Sequence, residues 1–312
     1  EAASASLTPV VLELGGKDPF VVCEDVKDLP GLAQLACRGV FQNMGQNCAG
    51  PERFFVYDGV YDQFCSLVTD IVKTMKQGAP LSSPFVDCGA IRLPQQADMY
   101  QRLVDDAVAK GARVLAGGQI PSGQLAQKGQ FYPPTVLADV AEDALIAQEE
   151  IFGPIMCIFR VPNNSDDEAV RMANNCRFAL SSCAFSGNQP RAAAICGRLH
   201  AGMASVNDLE GTTYLSQSLP FGGPKNSGSG RFAGPEGLRG LCTVRSVVEN
   251  RASFLAPSIP AQIAYPSTGQ GPAFCSALVE IMYGHGLWAR VKGVLNIIKA
   301  SVSAPSKAHH VC

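Results

Sequence analysis

Two kinds of hydrophobic pattern alternate along most of the chain. Short apolar runs predict strands at 10–14, 53–57, 112–115, 155–159, 183–185 and 203–206. Between several of these runs, apolar residues recur at steps of three and four, which predicts helices at about 30–45, 60–75, 95–110 and 191–199. Ser165, with Glu168 three residues later, is a capping-box signature for a further helix. Strands alternating with helices predict an α/β fold with a mostly parallel sheet.

The pattern changes in the last part of the chain. Residues 243–248 predict one isolated strand, and the proline-bearing stretch 257–272 is typical of a linker. From about 273 to 300 the chain is weakly amphipathic, with Trp288 among its apolar residues and Arg290 among its charged ones. We expect this last segment to be an accessory helix that docks on the protein, with a membrane surface as the alternative.

Composition limits the class of protein. With 312 residues, 46% of them hydrophobic and 17% charged, the chain is long and apolar enough to fold around a sizeable core. Its formal net charge of -2 provides no broad positive field for a nucleic-acid backbone. A small-molecule partner is therefore expected, and no nucleic acid.

Cysteine usage bears on the cellular compartment. The 12 cysteines include no Cys-x-x-Cys pair and no cluster with histidine at zinc spacing, which predicts reduced thiols and no metal site. No run reaches the roughly 18 apolar residues that cross a bilayer, and no secretory segment opens the chain. We expect a reducing compartment, either the cytoplasm or the periphery of a membrane.

Glu13 is the first candidate for chemistry. It lies in the apolar run 10–14, which stops at Gly15 and Gly16. Desolvation among apolar neighbours would raise the pKa of this carboxyl toward that of a general base. The alternative is a solvated glutamate at the edge of a strand, which is the commoner situation for this residue type.

Cys48 is the second candidate. It follows a predicted helix and a glycine-containing loop, where a thiolate could attack a carbonyl and backbone N–H groups could stabilise the oxyanion. The alternative is a small buried apolar residue. The chain holds four histidines, none of them near Cys48 in sequence, so a thiol-protease triad is poorly supported.

Two further segments combine polar groups with turn residues. Glu150 and Phe152 join a carboxylate to an aromatic ring just before a glycine and a proline, an arrangement that could bind a ribose, and a solvated loop with a buried phenylalanine is the alternative. The glycine-rich segment 220–231 lacks the spacing of a phosphate-binding loop. We interpret it as a tight structural crossing.

Five segments, taken in order, resemble successive signatures of the aldehyde dehydrogenase superfamily: 12–19, 45–48, 150–154, 205–207 and 220–223. The resemblance covers about 9–251, and the remainder resembles the C-terminal extension of the plant-type branch. It implies that Cys48 is the catalytic thiol and Glu13 the base. It also implies that Leu14, Glu150 and Phe152 bind the cofactor, and that Asn207 and Phe221 line the substrate pocket or are structural.

The resemblance also implies a division into domains. Residues 1–14 would be a remnant of the dinucleotide-binding domain, 15–231 the catalytic α/β domain, 232–251 a crossing segment with an oligomerisation strand, and 252–312 a linker with a helical extension. The chain departs from the family because the dinucleotide-binding half that should precede Glu13 is largely missing. We therefore expect a fragment.

The implied reaction is oxidation of an aldehyde to a carboxylic acid with NAD or NADP. It would proceed through a thiohemiacetal and a thioester on Cys48, and water activated by Glu13 would hydrolyse the thioester. Two alternatives stay open: a non-catalytic scaffold fragment of the same fold, and a thiol-dependent acyl transferase or hydrolase. A homo-oligomer is expected for the full-length protein.

Overall fold

The computed structural model describes residues 2–122, 130–209, 218–252, 254, 258–267 and 269–302. The chain forms two compact units, Glu1–Val244 and Arg245–Cys312. The predicted C-terminal extension runs to residue 312, and its part at 303–312 lies outside the described residues, as do residues 257 and 268 of the predicted linker.

The first unit is built on a mostly parallel sheet, which confirms the predicted α/β class. Its strands have the order β4-β5-β6-β3-β2-β7-β8, and β4 and β5 form the antiparallel pair at one edge. A separate two-stranded ladder joins β1 to β9. The strands are β1 Leu12–Glu13, β2 Asp18–Val22, β3 Pro51–Tyr57, β4 Arg113–Ala116, β5 Thr135–Ala138, β6 Ile155–Val161, β7 Cys183–Phe185, β8 Ser205–Val206 and β9 Gly228–Ser229.

Helices cover both faces of this sheet. In chain order they are α1 Leu29–Phe41, α2 Tyr61–Thr74, α3 Gln95–Ala109, α4 Leu145–Gln148, α5 Asp166–Asn174, α6 Gln189–Cys196 and α7 Gly234–Gly240. The predicted capping box is partly confirmed, since the Ser165 side chain accepts a 3.2 Å hydrogen bond from the Glu168 backbone N–H at the start of α5.

The strands are apolar on both sides because each face of the sheet has its own core. Phe20, Phe54 and Ile158 face one core, to which α1 and α2 contribute. Val21 and Phe55 face the other, to which α3, α5 and α6 contribute. This double burial explains why the central strands consist of nearly continuous apolar runs.

The strand β2 lies in the middle of the sheet, although the hydrophobic pattern placed the first strand at 10–14. Only Leu12–Glu13 pairs there, with Gly228–Ser229, and the apolar side chains of Val10 and Val11 around it are exposed. The predicted five-residue strand is therefore wrong in extent, because its partner offers only two residues. The buried run 18–22, preceded by two glycines, supplies the sheet strand instead.

Residues 243–248 are exposed and form no strand within the single chain. The oligomerisation strand expected there would pair with another subunit, so it stays a prediction. One prediction for the end of the chain needs correction. The expected single helix near 273–300 is a pair, α8 Gly271–Tyr283 and α9 Leu287–Val302, broken at residues 284–286 where Gly286 has φ +83°. Within the described residues, every helix is too short or too polar to cross a membrane.

Candidate active site

The predicted site residues converge at the amino ends of three neighbouring parallel strands. Gly15 and Gly16 precede β2, Cys48 precedes β3, and Glu150 precedes β6. In the sheet β2 pairs with β3 and β3 with β6. Because the amino ends of parallel strands lie at one edge of the sheet, the loops that lead into them meet there.

Contacts of the two glycines bring these loops together. The Gly16 backbone N–H donates a 3.0 Å hydrogen bond to Glu150 Oε1. Gly15 has φ +88°, and a Cβ at this position would collide with the Glu150 carboxylate. A Cβ on Gly16 would lie 2.6 Å from the Cys48 carbonyl oxygen. Glycine is therefore required at both positions for the loops to approach this closely.

Glu13 lies on β1, opposite Gly228. A Cβ on Gly222 would lie 2.9 Å from Glu13 Oε1, so a second glycine gives this carboxylate its space. Partial desolvation raises the pKa of Glu13, and the nearby Arg231 charge opposes the shift. The next residue, Leu14, has an exposed side chain and anchors the segment by donating its backbone N–H to the Ser227 carbonyl at 3.0 Å.

Cys48 follows a turn with an unusual backbone. Asn43, Met44 and Gly45 have φ values of +52°, +60° and +67° in succession. A Cβ on Gly45 would collide with the Gly153 carbonyl, so the turn packs tightly against the loop that carries Glu150. The turn ends the preceding helix and leaves Cys48 half-buried.

The surroundings of Cys48 disfavour the thiolate form of its side chain. Burial is the main cause that raises the pKa of Cys48, and the negative charges of Asp18 and Glu13 add to it. The Ala49 backbone N–H acts in the opposite direction. Glu13 is thus among the charged groups that disfavour the Cys48 thiolate. A reactive thiolate here requires a base to remove the proton.

The loop that carries Glu150 and Phe152 has a strained backbone. Phe152 has φ +49°, a conformation that costs energy for a bulky side chain and persists only where neighbours enforce it. Its carbonyl accepts a 2.7 Å hydrogen bond from the Tyr100 hydroxyl. Burial raises the pKa of Glu150, while the hydrogen bond from Gly16 acts in the opposite direction.

A buried ion pair fixes this loop, and the sequence patterns did not predict it. Lys17 Nζ lies 2.6 Å from Glu52 Oε2, and the two side chains are 0% and 6% exposed. Glu52 also accepts hydrogen bonds from the backbone N–H groups of Ile151 and Phe152, at 3.0 and 2.8 Å. Arg53 Nε donates to the Lys17 carbonyl at 2.9 Å. The sequence signal for this pair was the position of Lys17, Glu52 and Arg53 directly beside apolar strands.

Asn207 and Phe221 make contacts typical of structural residues. Asn207 has φ +52°, donates its N–H to the Ala184 carbonyl at 2.9 Å, and accepts from the Ser186 N–H at 2.8 Å. It thus fastens β8 to the end of β7. Phe221 and Phe232 exchange two backbone hydrogen bonds and their ring centroids lie 4.6 Å apart, which closes the turn beside Glu13.

Exposure alone does not distinguish Cys48 from the other thiols. The cysteines at described positions are all free, and burial raises the pKa of Cys23 and Cys37 to about 12. Cys242 and Cys275 are more exposed than Cys48. What sets Cys48 apart is that its carbonyl lies against Gly16, whose N–H donates to Glu150. The described residues contain no group of His, Cys, Asp and Glu side chains suited to a metal ion.

The sequence model of the aldehyde dehydrogenase family matches residues 1–247. The chain belongs to this family of oxidoreductases.

Individual relatives agree with this assignment. An aldehyde dehydrogenase-like protein of Saccharomyces cerevisiae is 37% identical over 304 residues, which are 96% of this chain and 47% of that protein. The NADP(+) succinate-semialdehyde dehydrogenase 1 of Mycobacterium tuberculosis is 36% identical over 245 residues, 78% of this chain and 51% of its own. A mutant aldehyde dehydrogenase C of Pseudomonas syringae, crystallised with NAD+ and octanal, has a TM-score of 0.70 and 28% identity, covering 77% of this chain and 47% of that one. The chain thus spans about half the length of the curated relatives it matches.

The substitution Glu52→Gln tests the buried ion pair. It leaves the Lys17 charge buried without a countercharge, and we expect a loss of about 3–5 kcal/mol in the free energy of unfolding. The matched control is Glu149→Gln, which removes a pair with Arg177 whose side chains are 47% and 50% exposed, and it should cost about 0–1 kcal/mol. Urea unfolding followed by circular dichroism measures both. Equal losses in the two variants would contradict the role given to Glu52.

The pH dependence of alkylation tests the electrostatics of Cys48. Because the Glu13 charge raises the pKa of this thiol, Glu13→Gln should move the midpoint of Cys48 alkylation to lower pH. Iodoacetamide labelling across the neutral and alkaline range, quantified on the Cys48 peptide by mass spectrometry, gives the midpoint. Glu149→Gln serves as the control and should leave it unchanged. A midpoint that stays in place or rises in Glu13→Gln would show that the Glu13 charge does not raise the pKa of Cys48.

Proposed function

We propose that this protein oxidises an aldehyde to a carboxylic acid with NAD or NADP, using Cys48 as the nucleophile and Glu13 as the general base. The observation that carries the proposal is the position of residues 13–16. This short segment includes Glu13, donates a hydrogen bond to Glu150 through Gly16, and packs Gly16 against the Cys48 carbonyl.

The first step would be attack by Cys48 on the carbonyl carbon. The thiol proton passes to solvent water, a new carbon–sulfur bond forms, and the carbonyl π electrons move to oxygen, which gives the anion of a thiohemiacetal. The Cys48 backbone N–H, which lies beside the sulfur, would help to stabilise the oxyanion. The raised pKa of the thiol means that removal of its proton is part of this step.

The loop residues are suited to the nicotinamide end of a dinucleotide. Glu150 is held by the Gly16 N–H, and its carboxylate can accept hydrogen bonds from ribose hydroxyls. Gly15 and Gly16 present backbone without side chains beside it, and Phe152 adds an aromatic surface. When bound, NAD(P)+ would accept the hydride from the carbon attached to Cys48, which leaves a thioester. The relatives include an enzyme named for NADP(+) and a structure with NAD+.

Glu13 would act in the last step. Its carboxylate takes a proton from water, the hydroxide adds to the thioester carbon, and the carbon–sulfur bond breaks. The carboxylic acid leaves, and the Cys48 thiolate takes up the proton that Glu13 received from water, which restores both groups. The raised pKa of Glu13 suits this task, because a general base is most efficient when its pKa approaches the working pH.

Glu13→Gln in the full-length protein tests this assignment. The amide cannot accept the proton from water, so we expect a single burst of NAD(P)H of the size of the enzyme concentration, followed by turnover slowed roughly 10²–10⁴-fold. Cys48→Ala should remove both phases. Stopped-flow absorbance of NAD(P)H with an aliphatic aldehyde measures them, and Glu149→Gln is the control. Unchanged steady-state turnover in Glu13→Gln would exclude it as the base.

The same assay separates the proposal from a thiol hydrolase or acyl transferase. Such an enzyme would need Cys48 but would release acid from a thioester without forming NAD(P)H from any aldehyde.

A further inference from the structure

The helices α8 and α9 form a hairpin whose buried residues are small except for Phe274. Gly293 and Ala300 of α9 and Ala277 of α8 are buried in the seam. A Cβ on Gly293 would lie 2.9 Å from the Ala277 carbonyl oxygen and 2.7 Å from Ile281 Cγ1, so the two helices approach closely only because this residue is glycine. Few large apolar side chains are needed to hold the hairpin together.

A polar contact also lies on the inner side. Asn296 Nδ2 donates a 3.2 Å hydrogen bond to Glu280 Oε2 in a partly buried position. Glu280 is the one acidic residue between 271 and 302. This hydrogen bond therefore joins the two helices of the hairpin.

Large apolar side chains occupy the outer face of α9. They recur at steps of three and four, which places them on one side of a helix of 3.6 residues per turn, opposite Gly293 and Ala300. This apolar stripe consists of Leu287, Trp288, Val291, Val294, Leu295, Ile298 and Val302, all of them exposed. Leu287 is 77% exposed and Trp288 84%. Such a continuous apolar surface on a soluble chain indicates a binding face.

Positive charges border the apolar stripe on both sides. The helical spacing puts Arg290 along one border and Lys292 and Lys299 along the other, and all three are exposed. No acidic residue of α9 interrupts them. Long basic side chains can rest their methylene groups on an apolar phase while their charges reach a polar boundary. An apolar face with cations on both borders is complementary to the surface of an anionic bilayer.

We propose that the apolar stripe of α9 docks on an anionic lipid surface, with the hairpin lying parallel to the membrane plane. The 16 residues of α9 extend over about 24 Å, short of the hydrocarbon core of a bilayer. The hairpin therefore rests in the interface. Membrane docking of α9 does not depend on the proposed catalytic function. Docking of this helix on the protein is the alternative outcome of the test.

The chain carries its own probe for this proposal, because Trp288 is its single tryptophan and lies on the apolar stripe. Emission spectra of the full chain are recorded with and without vesicles of phosphatidylcholine and phosphatidylglycerol. Without vesicles the emission should be that of a solvated indole. With anionic vesicles it should shift to the blue and become protected from acrylamide, and high salt should weaken the effect. Vesicles of phosphatidylcholine alone should have little effect.

Two variants and one control sharpen the test. Leu295→Asp places a charge on the apolar stripe, and the triple change Arg290→Glu, Lys292→Glu and Lys299→Glu reverses its borders. Each should abolish co-sedimentation with anionic vesicles. The matched control reverses three exposed basic residues of the first unit, Lys73→Glu, Lys76→Glu and Arg102→Glu, and should bind as the parent chain does.

Three results would overturn the proposal. Blue, acrylamide-protected emission without vesicles would show that protein covers the apolar stripe, and dependence of that emission on protein concentration would identify a second copy as the cover. Binding of equal strength to neutral vesicles, insensitive to salt, would remove the role of the basic borders. A normal response in the triple variant would do the same.

Discussion

The approach of Gly15 and Gly16 to two other loops determines where the proposed site residues lie. Any side chain at Gly15 would collide with the Glu150 carboxylate, and one at Gly16 would press on the Cys48 carbonyl. Without these contacts, the segment before β2 would lose its close approach to Glu150 and to the Cys48 carbonyl. The proposed nucleophile, the proposed base and the proposed ribose-binding carboxylate thus depend on two residues that have no reactive side chain.

Buried charge and backbone strain hold the arrangement in place. Glu52 links Lys17, which directly follows the two glycines, to the N–H groups at the Phe152 turn. That turn has a left-handed backbone that an isolated loop would not keep. The ion pair therefore stabilises a conformation as well as the fold. The buried charges are tolerated because Glu52 accepts hydrogen bonds from Lys17 and from the backbone N–H groups of Ile151 and Phe152.

The hydrophobic pattern predicted the α/β class and most helices because their periodicity is local. It placed the first strand at 10–14, where only Leu12–Glu13 pairs, and it missed the sheet strand at 18–22. Both segments contain apolar runs, and which of them joins the sheet depends on the neighbouring strands. Residues 243–248 show the same limit, because strand formation there requires a partner. The sequence indicated Cys48, Glu13 and Glu150 as candidate site residues through their flanking glycines, amides and aromatic residue. The pair of Lys17 and Glu52 was missed because it joins positions 35 residues apart, and strand order, which local patterns do not give, brings them together.

The proposed chemistry depends most on Cys48, the residue that would carry the acyl group. The most direct measurement is peptide mass spectrometry of the full-length protein, quenched in acid during reaction with an aldehyde and NAD(P)+. We predict an acyl adduct on the peptide that contains Cys48, formed only when NAD(P)+ is present. An adduct on Cys176, Cys242 or Cys275 instead, or oxidation of the aldehyde with no acylated Cys48 at any time, would contradict it.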